Sequence, residues 1–139
     1  MRIITCIKNL FKKKDLIDLL RQKGVKIGAE CSFVSCPTFS EPYLVEFGNN
    51  VRVSSNCSFV CHDGGRFVLD NLYPQESPFY KFGKIKVGNN VFIGMNSIIL
   101  PGVTIGDNCI IGAGSIVTKN VPTGEIWGGH SCKIHSNYR

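Results

Sequence analysis

The sequence lacks any apolar run approaching the roughly 18 residues of a membrane-spanning helix, so no span is expected. It also lacks a standard zinc pattern. Cys57, Cys61 and His62 lie close together, and His130 and His135 lie near the end, but none of these spacings is one that holds zinc. No metal requirement is therefore expected. No nucleophile-elbow motif surrounds any serine, which argues against a serine hydrolase. No stretch has linker composition, so the 139 residues, 43% hydrophobic, are expected to form one domain with a modest core. No secretory signal precedes the cysteines, and their number, seven, is odd. A reducing, cytoplasmic setting is expected rather than a disulfide scaffold.

What the sequence has in abundance is a period of six. From Val87 to Pro122 it divides into VGNNVF, IGMNSI, ILPGVT, IGDNCI, IGAGSI and VTKNVP. The first place is always Val or Ile, and the second is Gly in four cycles (Gly88, Gly94, Gly106, Gly112). The fourth place is Asn or Gly throughout: Asn90, Asn96, Gly102, Asn108, Gly114, Asn120. The fifth is small or β-branched, from Val91 and Ser97 to Ser115 and Val121. β-Branched residues suit short strands and inward positions, and Asn and Gly tolerate a left-handed corner. Short strands between sharp corners at a fixed period predict a parallel β-helix. Cys31, Cys57 and Cys109 occupy fifth places, where a small buried residue is wanted.

Residues 1–24 carry no such repeat and are expected to form an N-terminal helical arm, as one kinked helix or two short ones. Ile3, Ile7, Leu10, Ile17 and Leu20 recur at helical spacing, and Gly24 is placed as a C-terminal cap. Residues 1–26 hold eight Lys/Arg against Asp15 and Asp18, which is the whole net charge of +6. The arm is expected to cap the open end of the solenoid. The alternative is attraction to an anionic membrane surface. Nucleic acid is not an expected partner, since the arm has no reading motif and the rest of the chain is neutral.

The repeat region is expected to span 25–139. It begins at Ile27, slips by two residues after Phe39, resumes at Phe47, and reaches Phe59. The fourth place of that cycle is His62, and there the repeat stops until Val87. The segment of about 63–84 holds Phe67, Tyr73, Phe79, Tyr80 and Phe82, so an ordered, functional loop is expected. His62 has two readings. It is either a general base held on a rigid frame or a histidine replacing Asn at a left-handed corner. A base needs an orienting group, and Asp63, Asp70 and Glu76 are the nearby carboxylates.

The run IKVGNNVFIGMNSIILPGVTIGDNCIIGAGSIVTKNVP closely resembles the hexapeptide-repeat acyltransferases of left-handed parallel β-helix fold. It is most similar to their sugar and polysaccharide O-acetyltransferases, over about Gly24 to Ile134. The resemblance implies an all-β, left-handed solenoid and a homotrimer with acetyl-CoA in clefts between prisms. It implies direct transfer of an acetyl group to a sugar or glycan hydroxyl, in surface-polysaccharide or lipopolysaccharide building, with His62 as the general base. N-acetylation of an amino sugar is the alternative within the class, and a non-catalytic structural subunit the alternative outside it.

Carried over residue by residue, the resemblance places Met95, Ala113, Thr118, Lys119 and Lys133 against acetyl-CoA. Met95 and Ala113 are 18 residues apart, one turn of three hexads, so their backbones should stack. Phe92 stands where many relatives have Trp; the resemblance makes it a wall of the acyl pocket, and packing on the outer face is the alternative. Asp63, Asp70 and Tyr73 of the loop are the candidate acceptor contacts. The tail Gly129-His130-Ser131-Cys132-Lys133 departs from the family pattern by lacking its proline. The implied location is cytoplasmic, with the inner membrane face as the site of any contact through the arm.

Overall fold

In a computed structural model, the chain is described over residues 13–75, 82–129 and 133–135. It winds as a left-handed parallel β-helix of three faces, preceded by a short helix. The first coil contains β1 (Lys26–Ile27), β2 (Ser32–Phe33) and β3 (Thr38–Phe39), followed by a 3₁₀ turn, Pro42–Leu44. The second contains β4 (Val45–Phe47), β5 (Val51–Val53) and β6 (Ser58–Phe59). Helix α2 (Arg66–Leu72) lies between this coil and the third, which is β7 (Ile85–Val87), β8 (Val91–Ile93) and β9 (Ile98–Ile99). The fourth is β10 (Thr104–Ile105), β11 (Ile110–Ile111) and β12 (Ile116–Val117), and β13 (Ile126–Gly128) and β14 (Lys133–His135) follow.

Strands stack in parallel into face A (β1-β4-β7-β10), face B (β2-β5-β8-β11-β13) and face C (β3-β6-β9-β12). β14 closes face B antiparallel to β13, with Lys133 opposite Gly128. The hand is an exception to the usual crossover rule. Within each coil the faces are joined by corners of three or four residues rather than by helices.

The six-residue period is a burial pattern. First places Val87, Ile93, Ile99, Ile105, Ile111 and Val117 and fifth places Val91, Ser97, Val103, Cys109, Ser115 and Val121 are all buried. Each fully buried aliphatic or aromatic side chain contributes about 1.5–3 kcal/mol. In the first two coils, phenylalanines take the same role. Phe47 meets Phe33 edge-on at 5.3 Å and Phe59 at 5.2 Å, and Phe59 stacks on Phe39.

Fourth-place residues adopt the left-handed backbone as their chemistry predicts: Asn50, Asn56, Asn90, Asn96 and Asn108 have φ of 54–59°, and Gly102 and Gly114 are also positive. Second-place glycines have a different cause. A Cβ on Gly88 or Gly94 would lie under 3 Å from backbone of the coil above.

Among the corners that depart from the pattern are those at Asn120 and His62. Asn120 is not left-handed; its Oδ1 instead accepts the Thr104 N–H at 2.8 Å, across a coil shortened to a 16-residue register. His62 is not left-handed either. It is extended and bridged antiparallel to Phe82, because the chain leaves the coil there rather than turning. The reading of His62 as a stand-in for Asn at a left-handed corner is therefore corrected.

Helix α1 (Lys13–Gln22) packs over the first coil, with Leu20 fully buried and Leu16 and Ile17 against the core. It ends at Gly24 (φ 97°) in a Schellman arrangement, with Val25 N–H bonded to Leu20 O and Gly24 N–H to Arg21 O. Arg21 Nη2 donates to the carbonyls of Ile27 and Gly28, which border the open end. The earlier part of the arm, including any second helix in it, lies outside the described residues.

Candidate active site

The corner between faces C and A carries His62. Coil stacking pairs Phe39 with Phe59, so the residues after β3 lie beside those after β6. This brings Glu41 to His62. Glu41 Oε1 is 2.5 Å from His62 Nδ1, a contact of ion-pair distance rather than an aligned hydrogen bond, and Nδ1 is fully enclosed. The Glu41 side chain is 12% exposed and that of His62 43%, which leaves Nε2 as the accessible ring nitrogen. Ser40 holds the carboxylate from its other side. Its Oγ donates to Glu41 Oε2 at 2.6 Å and accepts the Cys61 N–H at 2.7 Å. A carboxylate on Nδ1 favours the tautomer with a proton there and a lone pair on Nε2, the form a general base requires.

Neither of the two described carboxylates singled out near His62 in sequence orients it. Asp63 Oδ1 accepts the Gly65 N–H at 3.0 Å, and Asp70 pairs with Arg66 at 2.7 Å; Glu76 lies outside the described residues. Cys61, next to the histidine, is no rival nucleophile. Burial pushes its thiol up from the ordinary value and the Glu41 charge adds to the effect, so it stays protonated.

Helix α2 then projects from the corner with no buried side chain, exposing Phe67, Leu69, Leu72 and Tyr73. Gly83 N–H bonds Cys61 O at 2.7 Å where the chain rejoins the coil. Thr118 and Lys119 are exposed at this same corner, two coils above His62.

The corner between faces B and C carries Met95 and Ala113. They stack as their spacing requires: Gly114 N–H bonds Met95 O at 2.8 Å, and Gly94 lies against the Ala113 amide. Both residues are exposed, and among the described residues neither their N–H groups nor their side chains have a hydrogen-bond partner. Phe92 projects from face B, 40% exposed, with Arg52 and Ile110 as its register neighbours. The structure thus brings His62, Thr118 and Lys119 to one corner and Met95 and Ala113 to another, with face C between them. Lys133 lies on β14 at the upper end of face B.

Glu41 is the residue that sequence reasoning missed. Its signal was the two-residue slip after Phe39, which makes this coil 20 residues long and sets position 41 beside 61–62.

Rigid coils holding an oriented imidazole and a rank of free backbone amides are the equipment of a group-transfer enzyme. Residues 84–119 match the family model described as bacterial transferase hexapeptide (six repeats). Over 127 residues, 89% of this chain and 72% of the relative, the sequence is 50% identical to protein CapG of Staphylococcus aureus. The fold matches a maltose O-acetyltransferase from Clostridium difficile 630 with a TM-score of 0.67 at 24% identity, covering 99% of this chain and 83% of that one. It matches a galactoside acetyltransferase in complex with coenzyme A with a TM-score of 0.64 at 24% identity, over 93% and 72%. The chain belongs to the hexapeptide-repeat acyltransferase family, and it is an acetyltransferase.

Proposed function

We propose that the protein transfers an acetyl group from acetyl-CoA to a hydroxyl of a sugar or glycan, in the building of a surface polysaccharide or lipopolysaccharide. The observation that carries this reading is the enclosed Glu41–His62 contact, which leaves Nε2 as the accessible base. His62 Nε2 takes the proton of the acceptor hydroxyl as its oxygen bonds the thioester carbonyl carbon. It then returns that proton to sulfur as the carbon–sulfur bond breaks. The proton moves during attack, because a free sugar hydroxyl is too weak an acid to ionise beforehand. The galactoside acetyltransferase seen with coenzyme A supports the choice of donor.

The free N–H groups of Met95 and Ala113 fit the amide carbonyls of a pantetheine arm, and Thr118, Lys119 and Lys133 are assigned to the rest of acetyl-CoA, with Phe92 walling the acyl pocket. Asp63, Asp70 and Tyr73 remain the loop candidates for acceptor contact, although Asp70 is already paired with Arg66. His62 and the free amides occupy different corners of one prism. A homotrimer would place one copy's histidine against its neighbour's amides. Among the described residues no helix is long and apolar enough to cross a membrane. We assign the enzyme to the cytoplasm, with the basic arm able to meet the inner membrane face.

Screening neutral and charged sugars with acetyl-CoA and a free-thiol assay tests this reading, with His62→Asn as the control. Thiol release that requires both a sugar and His62 supports it. Release that persists in a folded His62→Asn protein removes the histidine mechanism, and no release with any sugar removes the acceptor class.

A further inference from the structure

The outer side of face B holds a groove of about 470 Å³ whose lining includes Asn50, Asn90, Asn108, Arg52, Phe92 and Ile110. Arg52 stands out. Arg21 is paired with Asp18 and Arg66 with Asp70, whereas Arg52 is exposed and has no ion pair or hydrogen bond among the described residues. No acidic residue lines the groove. Its register neighbours on face B are Ser32 and Phe92, so Arg52 and an aromatic residue line the same groove and no described carboxylate is paired with the guanidinium.

The asparagines add a second donor. Asn50 Nδ2 donates to Asn90 Oδ1 at 2.9 Å and Asn90 Nδ2 to Asn108 Oδ1 at 2.8 Å. The row runs in one direction, and its last amide group, Asn108 Nδ2, is left without an acceptor among the described residues. A groove of similar size on face A is lined by both signs, with Glu46 and Asp107 beside Lys26 and Lys86. Its Lys26 is neutralised by Glu46 at 2.8 Å, and Glu46 also binds Lys84 at 2.6 Å.

We propose that the face B groove binds an anionic saccharide, with Arg52 as the specificity-determining residue for an acidic acceptor. The guanidinium fork matches a carboxylate or phosphate in bidentate fashion. Phe92, assigned above to the acyl pocket, would mark where the groove meets the acetyl group, and Asn108 offers a donor to the sugar's hydroxyls. The anion is either the carboxylate of a uronic acid or the diphosphate of a carrier-linked sugar. This inference rests on the sugar acetyltransferase reading and narrows its substrate class.

The test is isothermal titration, without acyl donor, of trigalacturonate, the matched neutral galactose trisaccharide and uridine diphosphate. Each is titrated into the wild type, Arg52→Gln and Arg52→Lys. The wild type should prefer an anionic probe by about tenfold or more. Arg52→Gln should abolish that preference with melting unchanged, and Arg52→Lys should restore part of it. Tighter binding of trigalacturonate names the sugar carboxylate as the source, and tighter binding of uridine diphosphate names the carrier. Equal binding of all three probes overturns the proposal, as does a preference that survives in Arg52→Gln. So does an Arg52→Gln effect confined to the KM for acetyl-CoA. Arg52-dependent anion binding with no acetyl transfer to any sugar would keep this site and sink the acetyltransferase assignment of the acceptor. His62-dependent acetylation of neutral sugars with Arg52 indifferent would do the reverse.

Discussion

The corner between faces A and B and the corner between faces B and C repeat one backbone geometry and present it to solvent in opposite states. At the first, third-place side chains close every exposed amide. Ala29 N–H bonds Asn49 Oδ1, Asn49 N–H bonds Asn89 Oδ1, Asn89 N–H bonds Asp107 Oδ1, and Asp107 N–H bonds Thr123 Oγ1. At the second, the equivalent residues Met95 and Ala113 carry no oxygen, and their amides stay open. The third corner is interrupted altogether, by His62 and the projecting helix. One corner satisfies its own donors, and the other two leave backbone amides or an imidazole nitrogen accessible to solvent. The difference lies in a few side chains, since the coils beneath are equally buried.

The largest effect should come at the interrupted corner. His62→Asn should lower kcat by about 10²–10⁴ without lowering the melting temperature, because the side chain is outside the core and nearly half exposed. Glu41→Gln should produce a smaller fall in kcat with little change in the KM for acetyl-CoA, since it acts by orienting the ring. A Glu41→Gln enzyme with wild-type turnover would show that the contact is structural only.

The open corner can be closed on the pattern of the first. Ala113→Asn would set a carbonyl oxygen over the Met95 amide, as Asn89 does over Asn49. The KM for acetyl-CoA should rise roughly tenfold or more, and the melting temperature should hold or rise. An unchanged KM would remove these amides from the donor site. The reverse substitution opens the closed corner. Asn89→Ala frees the Asn49 amide and should lower stability by about 0.5–1.5 kcal/mol while leaving turnover alone. A loss of activity instead would move that corner into the active site.

The smallest effect concerns acid. Hydrogen bonds from Lys26 and then Lys84 hold the Glu46 carboxyl at about 2, below its ordinary value of 4.5. A depressed folded value means that the pair stabilises the protein above the unfolded pKa and that this contribution fades as pH falls toward 2. The wild type should therefore exceed Glu46→Gln in stability near neutral pH, and the two should converge in strong acid. Parallel stability curves across that range would show that the lysines contribute nothing through Glu46.

The solenoid was legible because inward burial repeats in sequence. Every first and fifth place from Val87 to Val121 is buried, and the left-handed corners of that stretch are all Asn or Gly. The site was less legible because it depends on stacking between coils. Glu41 and His62 are 21 residues apart, and only the length of the first coil puts them side by side. Arg52 and Phe92 both occupy sixth places, which point outward and which the repeat leaves free. No periodicity could mark them. Met95 and Ala113 could be seen to stack, but not to lie on a different corner from His62, since the loop hides how many corners intervene.

The central claim is that the base of one copy serves the open amides of another. It is tested by assembling His62→Asn and Ala113→Asn chains together, with a different tag on each, and assaying the doubly tagged oligomer. In a ring of three where each site joins two neighbours, every doubly tagged oligomer holds one intact site in three. At acetyl-CoA well below the KM of the Ala113→Asn parent, thiol release should therefore exceed that of either parent. Mixed oligomers no more active than the average of the two parents would show that His62 and the Met95–Ala113 corner act within a single chain, and would contradict the account.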